Sequence, residues 1–398
     1  MRILILSPKL PYPPKDGGAI ATLSLAKGLA GSGMEVSILA FNTKKHFFPP
    51  ESIPADLSEE IQFFTVPVDT TPGPLKGLLN LLFSNKPYIS VRFESRKYRS
   101  KLLELLTSGN FNFVQMEGPY FESYLPEIRK FPVKVSLRAH NLEHEIWKRK
   151  SIHEQNPLKK WYFSILARRI ARLEKNLLAS IDLLIPISDR DGASLQKMHA
   201  TPQMITIPTG FETSEYPFLP VPVKRDIFFL GALDWMPNQE GLEWFIRKVL
   251  PLVLEKEPGI VFHIAGRNAP GWLVEKLSHP SIHYHGEVED AVSFITDHGI
   301  MVVPLLSGSG IRIKILEGMV TGKCIVTTDI GAEGIPATNG EHFFVAENEK
   351  DFADLVLEVL ASNNKAEEAG RKARILVQEK FDTFVIANRL SDVYRKMI

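Results

Sequence analysis

A single cysteine, Cys324, occurs in 398 residues, which excludes an internal disulfide and fits a reducing compartment. It stands in Lys323-Cys324-Ile325-Val326-Thr327-Thr328, a buried-strand pattern, and reads as a small core residue rather than a nucleophile. Charge of either sign is not in excess. Lys plus Arg number 47 against 46 Asp plus Glu, a net charge of +1, so nothing in the balance demands nucleic acid as a partner. No stretch reaches the ~18 uninterrupted apolar residues of a membrane span. The opening Met1-Arg2-Ile3-Leu4-Ile5-Leu6-Ser7 is a short strand pattern broken by Pro8, without the longer apolar core of a signal peptide. A soluble, cytoplasmic protein is expected. Repeats of 20–50 residues and low-complexity tracts are also missing. What remains is an ordinary globular composition, 44% hydrophobic and 23% charged. Its length suits two domains of roughly 150–200 residues each.

Short apolar strands alternate with amphipathic helices in both halves, the signature of parallel sheets covered by helices. In the first half the pattern predicts strands over 3–6, 35–41, 113–116, 133–137 and 183–186, with helices over 19–31 and 156–181. Residues 41–60 and 67–92 read only as long proline-bearing loops. Pro217, Pro220 and Pro222 fall within six residues and predict a stiff spacer. The rhythm restarts at Asp226-Ile227-Phe228-Phe229-Leu230-Gly231, and strands are predicted over 260–265, 282–285, 300–305 and 324–327, with helices over 350–362 and from 383. The expected domains are 1–215 and 222–382. The expected fold class is α/β: two Rossmann-like, doubly wound domains facing each other across a cleft, where open α/β sheets bind ligands.

The stretch richest in chemistry is Ser307-Gly308-Ser309-Gly310-Ile311-Arg312-Ile313-Lys314-Ile315-Leu316-Glu317-Gly318-Met319, which follows the strand pattern 300–305. Glycines at a helix start let backbone N–H groups approach a phosphate closely. Arg312 and Lys314 put full positive charge where the helix dipole disfavours it, which points to an anion arriving from elsewhere. Glu317 is placed to accept hydrogen bonds from ribose hydroxyls. The order strand, glycines, two cations, acid points to a nucleotide-diphosphate site for a nucleotide-sugar. The plain alternative is a strand–turn–helix corner with a solvated charged face. No Gly-Lys-Ser/Thr ends the loop, so it is not a Walker loop, and it lacks the downstream acid of a dinucleotide fingerprint.

Other candidates follow successive predicted strands. Asp16-Gly17-Gly18 precedes the first helix and suits an anion or sugar; a tight turn is the plain alternative. His140 follows the strand over 133–137 within Arg138-Ala139-His140-Asn141-Leu142-Glu143-His144-Glu145 and suits proton or hydrogen-bond chemistry near neutral pH. The metalloprotease order His-Glu-x-x-His is absent there. In the second half Gly231 and Asn238, Arg267, and Val288 follow three strands in turn, with Arg267 suited to a phosphate or base and Val288 to a base ring. The basic helix over 156–181 is expected to bury one face in its own domain; peripheral contact with an anionic membrane is the alternative.

With these residues in view the chain resembles glycosyltransferase family 4, retaining sugar-nucleotide transferases of the GT-B fold. The resemblance rests on Gly17-Gly18 with Leu25-Ala26-Lys27-Gly28-Leu29-Ala30, on Arg138 to Glu143, Ile187-Ser188, Ile207-Pro208-Thr209-Gly210-Phe211, Phe229 to Asn238, Ile264-Ala265-Gly266-Arg267, and Gly308 to Met319. It implies an enzyme whose second domain holds a nucleotide-diphosphate sugar and whose first domain holds a saccharide or lipid-linked acceptor, with a final helix, about 383–398, joining the first domain. It implies retention, no metal and no cofactor beyond the sugar nucleotide, and a setting in cell-surface polysaccharide or lipid-linked glycan synthesis, with the inner face of the membrane as one location. By position Glu317 matches the ribose-binding acid, Gly308, Ser309, Gly310 and Ile311 the diphosphate loop, and His140 the histidine near the reacting sugar. Two positions depart from the family pattern: Ser309 stands eight before Glu317 where an acid is usual, and Asn238 stands where a lysine is usual. The resemblance is to a subgroup with a Gly-x-Gly-x-Arg-x-Lys loop, in which Arg312 and Lys314 would supply the phosphate cations. An inactive nucleotide-sugar-binding module and a non-hydrolysing sugar-nucleotide epimerase are the alternatives.

Overall fold

The computed structural model describes residues 1–200, 203–218, 224–308 and 311–398. Ser309, Gly310, Pro220 and Pro222 lie outside the described residues. The chain divides into two compact units, Met1–Phe211 with Thr383–Ile398, and Glu212–Asp382. Each is a parallel sheet with helices on its faces, an α/β fold.

The first unit contains β1 (Arg2–Ser7), β2 (Glu35–Thr43), β3 (Ile61–Val68), β4 (Phe113–Glu117), β5 (Lys134–Ala139) and β6 (Leu183–Pro186), in the sheet order β3-β2-β1-β4-β5-β6. Strand β1 shows why both faces are covered. Ile3 and Ile5 enter one core while Leu4 and Leu6 enter another on the opposite face, the period-two alternation of a strand buried on both sides. Helix α1 (Gly17–Gly31) packs Leu23, Ala26 and Leu29 into the core that receives Ile3 and Ile5. Helix α2 (Pro74–Phe83) lies in the stretch that showed no sequence pattern. Helices α3 (Glu143–His153) and α4 (Pro157–Leu178) follow β5, and Leu177 and Leu178 of α4 close the core that receives Leu4 and Leu6. Strand β3 was not read in the sequence; it carries Pro67 next to its last residue, and as an edge strand it tolerates the missing N–H.

The second unit contains β7 (Ile227–Leu230), β8 (Phe262–Ala265), β9 (Ile282–Gly286), β10 (Ile300–Val303), β11 (Ile325–Thr328) and β12 (Phe344–Ala346), in the order β12-β11-β10-β7-β8-β9. Three helices matter below: α5 (Met236–Trp244), α6 (Ala291–Asp297) and α7 (Ile313–Val320). Ile227, Phe229, Phe262, Ile264, Ile300 and Val302 build the core on one face. Helix α8 (Thr383–Met397) belongs to the first unit, where Ile386, Leu390 and Tyr394 pack with Ile3 and Ile5.

Candidate functional site

In the second unit the loops at the carboxyl ends of the strands are joined by backbone hydrogen bonds. The Gly231 N–H donates to Ala265 O (3.1 Å), Leu233 N–H to Arg267 O (2.8 Å) and Gly266 N–H to Gly286 O (2.7 Å). A Cβ on Gly266 would lie 1.9 Å from the Gly231 carbonyl oxygen, so only glycine lets these two loops touch.

Lys314, in the first turn of α7, reaches across to this rim. Its ammonium donates to Asn238 Oδ1 (2.8 Å) and lies 4.2 Å from the centroid of the Phe229 ring. A Cβ on Gly231 would come within 2.3 Å of Lys314 Nζ. Asn238 is itself fixed, its amide donating to Ala232 O (2.7 Å). Burial pulls the Lys314 ammonium down to about 7; Glu317 one turn on favours its charge and Arg312 opposes it. Burial pushes the Glu317 carboxyl above its ordinary range, with Lys314 pulling the other way. A desolvated cation beside a desolvated acid on one helix is an arrangement that a bound anion would improve.

Arg312 sits at the N-cap position of α7, 4% exposed, and donates to Ile330 O (3.2 Å) with Glu333 at 3.9 Å. Gly308, at φ +127°, runs past its guanidinium: a Cβ there would lie 3.1 Å from an Arg312 terminal nitrogen and 3.3 Å from Trp235. Ser307 Oγ donates to Glu240 on α5 (2.7 Å). Ile311 is half-buried beside Arg312, Arg267 is exposed on the loop after β8, and Val288 is half-buried just beyond β9. Thus Gly231, Asn238, Lys314, Arg312 and Gly308 come together, while no side-chain hydrogen bond or ion pair ties Arg267 to them among the described residues.

In the first unit Asp16 caps α1, its carboxylate accepting from the Gly18 and Ala19 N–H groups (both 3.1 Å) and pairing with Lys9. Burial would raise Asp16, but the Lys9 hydrogen bond and those amides hold it below the usual carboxylate range. The Gly18 amide therefore already has an anion, and it belongs to the chain. His140, just past β5, holds Glu117 through Nε2 at 2.6 Å. Glu117 is 1% exposed at the end of β4; it also accepts from Thr22 (2.9 Å) and Gln115, and lies 3.8 Å from the fully buried Arg138. Burial would raise the Glu117 carboxyl, yet Arg138 and the His140 hydrogen bond win and take it down to about 2. The network continues to the last helix: Tyr394 Oη donates to Gln115 (2.6 Å) and meets Ser136 Oγ at 2.9 Å. Glu117 escaped the sequence reading. The available signal was an acid ending an otherwise apolar strand, Phe113-Val114-Gln115-Met116-Glu117.

The same unit has a cavity of about 540 Å³ lined by Pro74, Leu78, Tyr88, Trp147 and Phe163 among others. Beside it, α2 leaves Leu75, Leu82 and Phe83 exposed. Among the described residues no helix is long and apolar enough to cross a membrane.

Residues 224–362 match the family model described as Glycosyl transferases group 1. This stretch is similar to the glycosyl transferases group 1 family. It carries Gly231, Asn238, Arg312, Lys314 and Glu317. A full-length relative, described as an uncharacterized 44.6 kDa protein in the cps region of Klebsiella pneumoniae, is 23% identical over 392 residues, covering 96% of this chain and 97% of that protein. Among solved structures, sucrose-phosphate synthase from Thermosynechococcus elongatus superposes with a TM-score of 0.69 at 16% identity, covering 100% of this chain and 99% of that one. Anabaena HepE in complex with UDP gives 0.67 at 12% identity over 100% of both chains. At such identities the structures share the fold with this chain, and the chemistry must be argued from its residues.

Proposed function

We propose that this protein is a glycosyltransferase that moves a sugar from a nucleotide-diphosphate sugar to a hydroxyl acceptor with retention. The observation that carries it is Lys314 of the group 1 domain, whose desolvated ammonium α7 delivers to the rim formed by Gly231 and Asn238, with Arg312 and Glu317 on the same helix. Two cations beside a glycine loop suit a diphosphate, and Glu317 suits a ribose. The reaction needs charge stabilised on the departing nucleotide diphosphate, the largest expected contribution to catalysis. Lys314 and Arg312 supply it without a metal. Ser309 and Gly310, outside the described residues, and Ile311 complete the diphosphate loop; Arg267 and Val288 are assigned to the base and its phosphates.

The first unit is assigned to the acceptor. Its histidine, His140, is set by Glu117 and is assigned to the reacting sugar. Asp16, Gly17 and Gly18 are assigned to acceptor hydroxyls, with Asp16 accepting from them when they compete with its capping bonds. The apolar cavity and the exposed leucines of α2 favour an acceptor carried on a lipid, met at the membrane surface. The cps-region relative and the UDP-bound neighbour fit a role in surface polysaccharide assembly with a uridine donor.

Thermal shift against UDP, GDP, ADP, TDP and CMP tests the donor site, because a ligand selective for the folded state must raise the melting temperature. A selective shift with one diphosphate, lost in Arg312→Ala and Glu317→Ala, is expected. No shift with any nucleotide refutes the donor-site assignment.

A further inference from the structure

The second sheet is apolar on the face that holds its core, but on the opposite face β8 and β9 present histidines. His263 pairs in register with His283, and His285 lies two residues on, while Ile282 and Tyr284 alternate toward the core. The register of β8 and β9 slips between Ile264 and Ala265, so Ile264 faces Tyr284 and Ala265 faces Gly286. His285 is the extra residue of that bulge. Bulges re-aim side chains, and this one brings His285 Nε2 to 3.0 Å from His263 Nδ1. The His283 and His285 rings stack at 4.2 Å. Four of the 11 histidines in the chain gather here, for His298 stacks on His263 at 4.1 Å from the segment preceding β10.

We propose that His263, His283 and His285 form a binding site for a borderline divalent transition-metal ion, with Zn²⁺ as the natural probe. One donor nitrogen from each lies within 4.8 Å of the others. A tetrahedral ion with Zn–N bonds of about 2.0–2.1 Å holds its nitrogens about 3.3 Å apart. His283 and His285 are exposed side chains on an edge strand, and a small inward turn of these rings would close that difference and leave a fourth position for water. The set is all imidazole, since the one cysteine is buried in the core on the other face, and imidazole suits Zn, Ni and Cu over Mg or Ca.

Behind the three nitrogens stands a carboxylate. His263 turns Nδ1 toward His285 and Nε2 toward Asp226 Oδ2 at 3.8 Å. Asp226 is anchored in turn by the Gly299 N–H and by His298 Nδ1 at 3.2 Å. Carboxylates in that position orient metal-bound imidazoles and fix their tautomer. Asp226, His263 and His298 could themselves form a ligand triad, but they share His263 and are less exposed. The close approach of two imidazole nitrogens, His263 Nδ1 and His285 Nε2, is in the outer set. A bound ion would clamp the edge strand β9 to β8, just before Gly286, whose carbonyl holds the Gly266 loop.

The test uses the tag-free, metal-stripped full chain. Zn²⁺ is titrated against a competing chelator, Co²⁺ absorption reports coordination geometry, and melting is followed with and without metal. The expected result is one saturable equivalent, tetrahedral Co²⁺ bands and a Zn²⁺-dependent rise in melting temperature. Affinity should fall at least tenfold in His283→Ala/His285→Ala and stay within about threefold in His298→Ala. Both exposed positions tolerate truncation, and circular dichroism confirms that the double variant is folded. Undiminished Zn²⁺ binding in that variant, loss of binding in His298→Ala, or no saturable binding by the unaltered chain each overturns the assignment.

Discussion

If Lys314 meets the donor diphosphate as proposed, nucleotide binding becomes a proton-uptake reaction. The free lysine is held at about 7, against an ordinary lysine near 10.4. A diphosphate arriving beside its ammonium offsets the cost of burial and moves the group back toward the ordinary value. At pH 8 the free group is then about nine-tenths neutral and the bound group almost fully charged, so binding takes up about 0.9 proton. The affinity follows. Nucleotide phosphates are already fully ionised above pH 7, their last pKa lying near 6. Raising the pH from 7 to 9 therefore weakens binding through Lys314 alone, by up to about 50-fold, or ~2.3 kcal/mol. The sign is fixed by the direction of the shift: a lysine depressed in the free protein favours the ligand at low pH and loses that advantage as pH rises through about 7. Calorimetric titration with the selected diphosphate, in buffers of different ionisation enthalpy, measures the proton count directly. Lys314→Met should show no uptake and a flat profile over the same range. Uptake that persists in Lys314→Met, or none in the unaltered protein, refutes the placement of Lys314 at the diphosphate.

Three further outcomes are expected. Glu117→Ala strands the buried Arg138 charge and should cost about 3–5 kcal/mol in denaturant unfolding. Because Glu117 is held at about 2, its stabilisation is present above the ordinary glutamate range and lost as pH falls toward 2, so the gap between variant and parent should close in acid; a gap constant from pH 7 to 2 contradicts this. His140→Ala should lower kcat about 10²–10⁴-fold in steady-state sugar transfer, and by removing a partner of the buried Glu117 should cost about 1–3 kcal/mol in unfolding. Gly266→Ala pushes a methyl into the Gly231 carbonyl and should destabilise by about 1–3 kcal/mol with weaker nucleotide binding; an unchanged melting curve contradicts the close approach of these loops.

The alternation of strand and helix was legible in the sequence because periodicity is local: β1, β2, β4, β6 and α1 lie where spacing places them, within a few residues. The same holds for the glycines at Gly231, Gly266 and Gly308, since positive φ and close backbone approach leave a residue-type mark. Strand β3 and helix α2 were not legible. A proline-bearing edge strand and a helix with exposed leucines violate the patterns that signal burial.

Partnership is what only the tertiary structure decided. Asn238 read as a departure from pattern, and α7 turned it into the acceptor for Lys314 from 76 positions away. Glu117 looked like one acid among many until Thr22, Gln115, Arg138 and His140 closed around it, with Tyr394 reaching Gln115 from the last helix. His263, the close pair His283 and His285, and His298 come from three separate segments and meet because of sheet register and one bulge. Local sequence sets dihedral preference and which face is apolar. Which charged groups desolvate one another depends on contacts between distant segments, and that is where the pKa shifts and the chemistry arise.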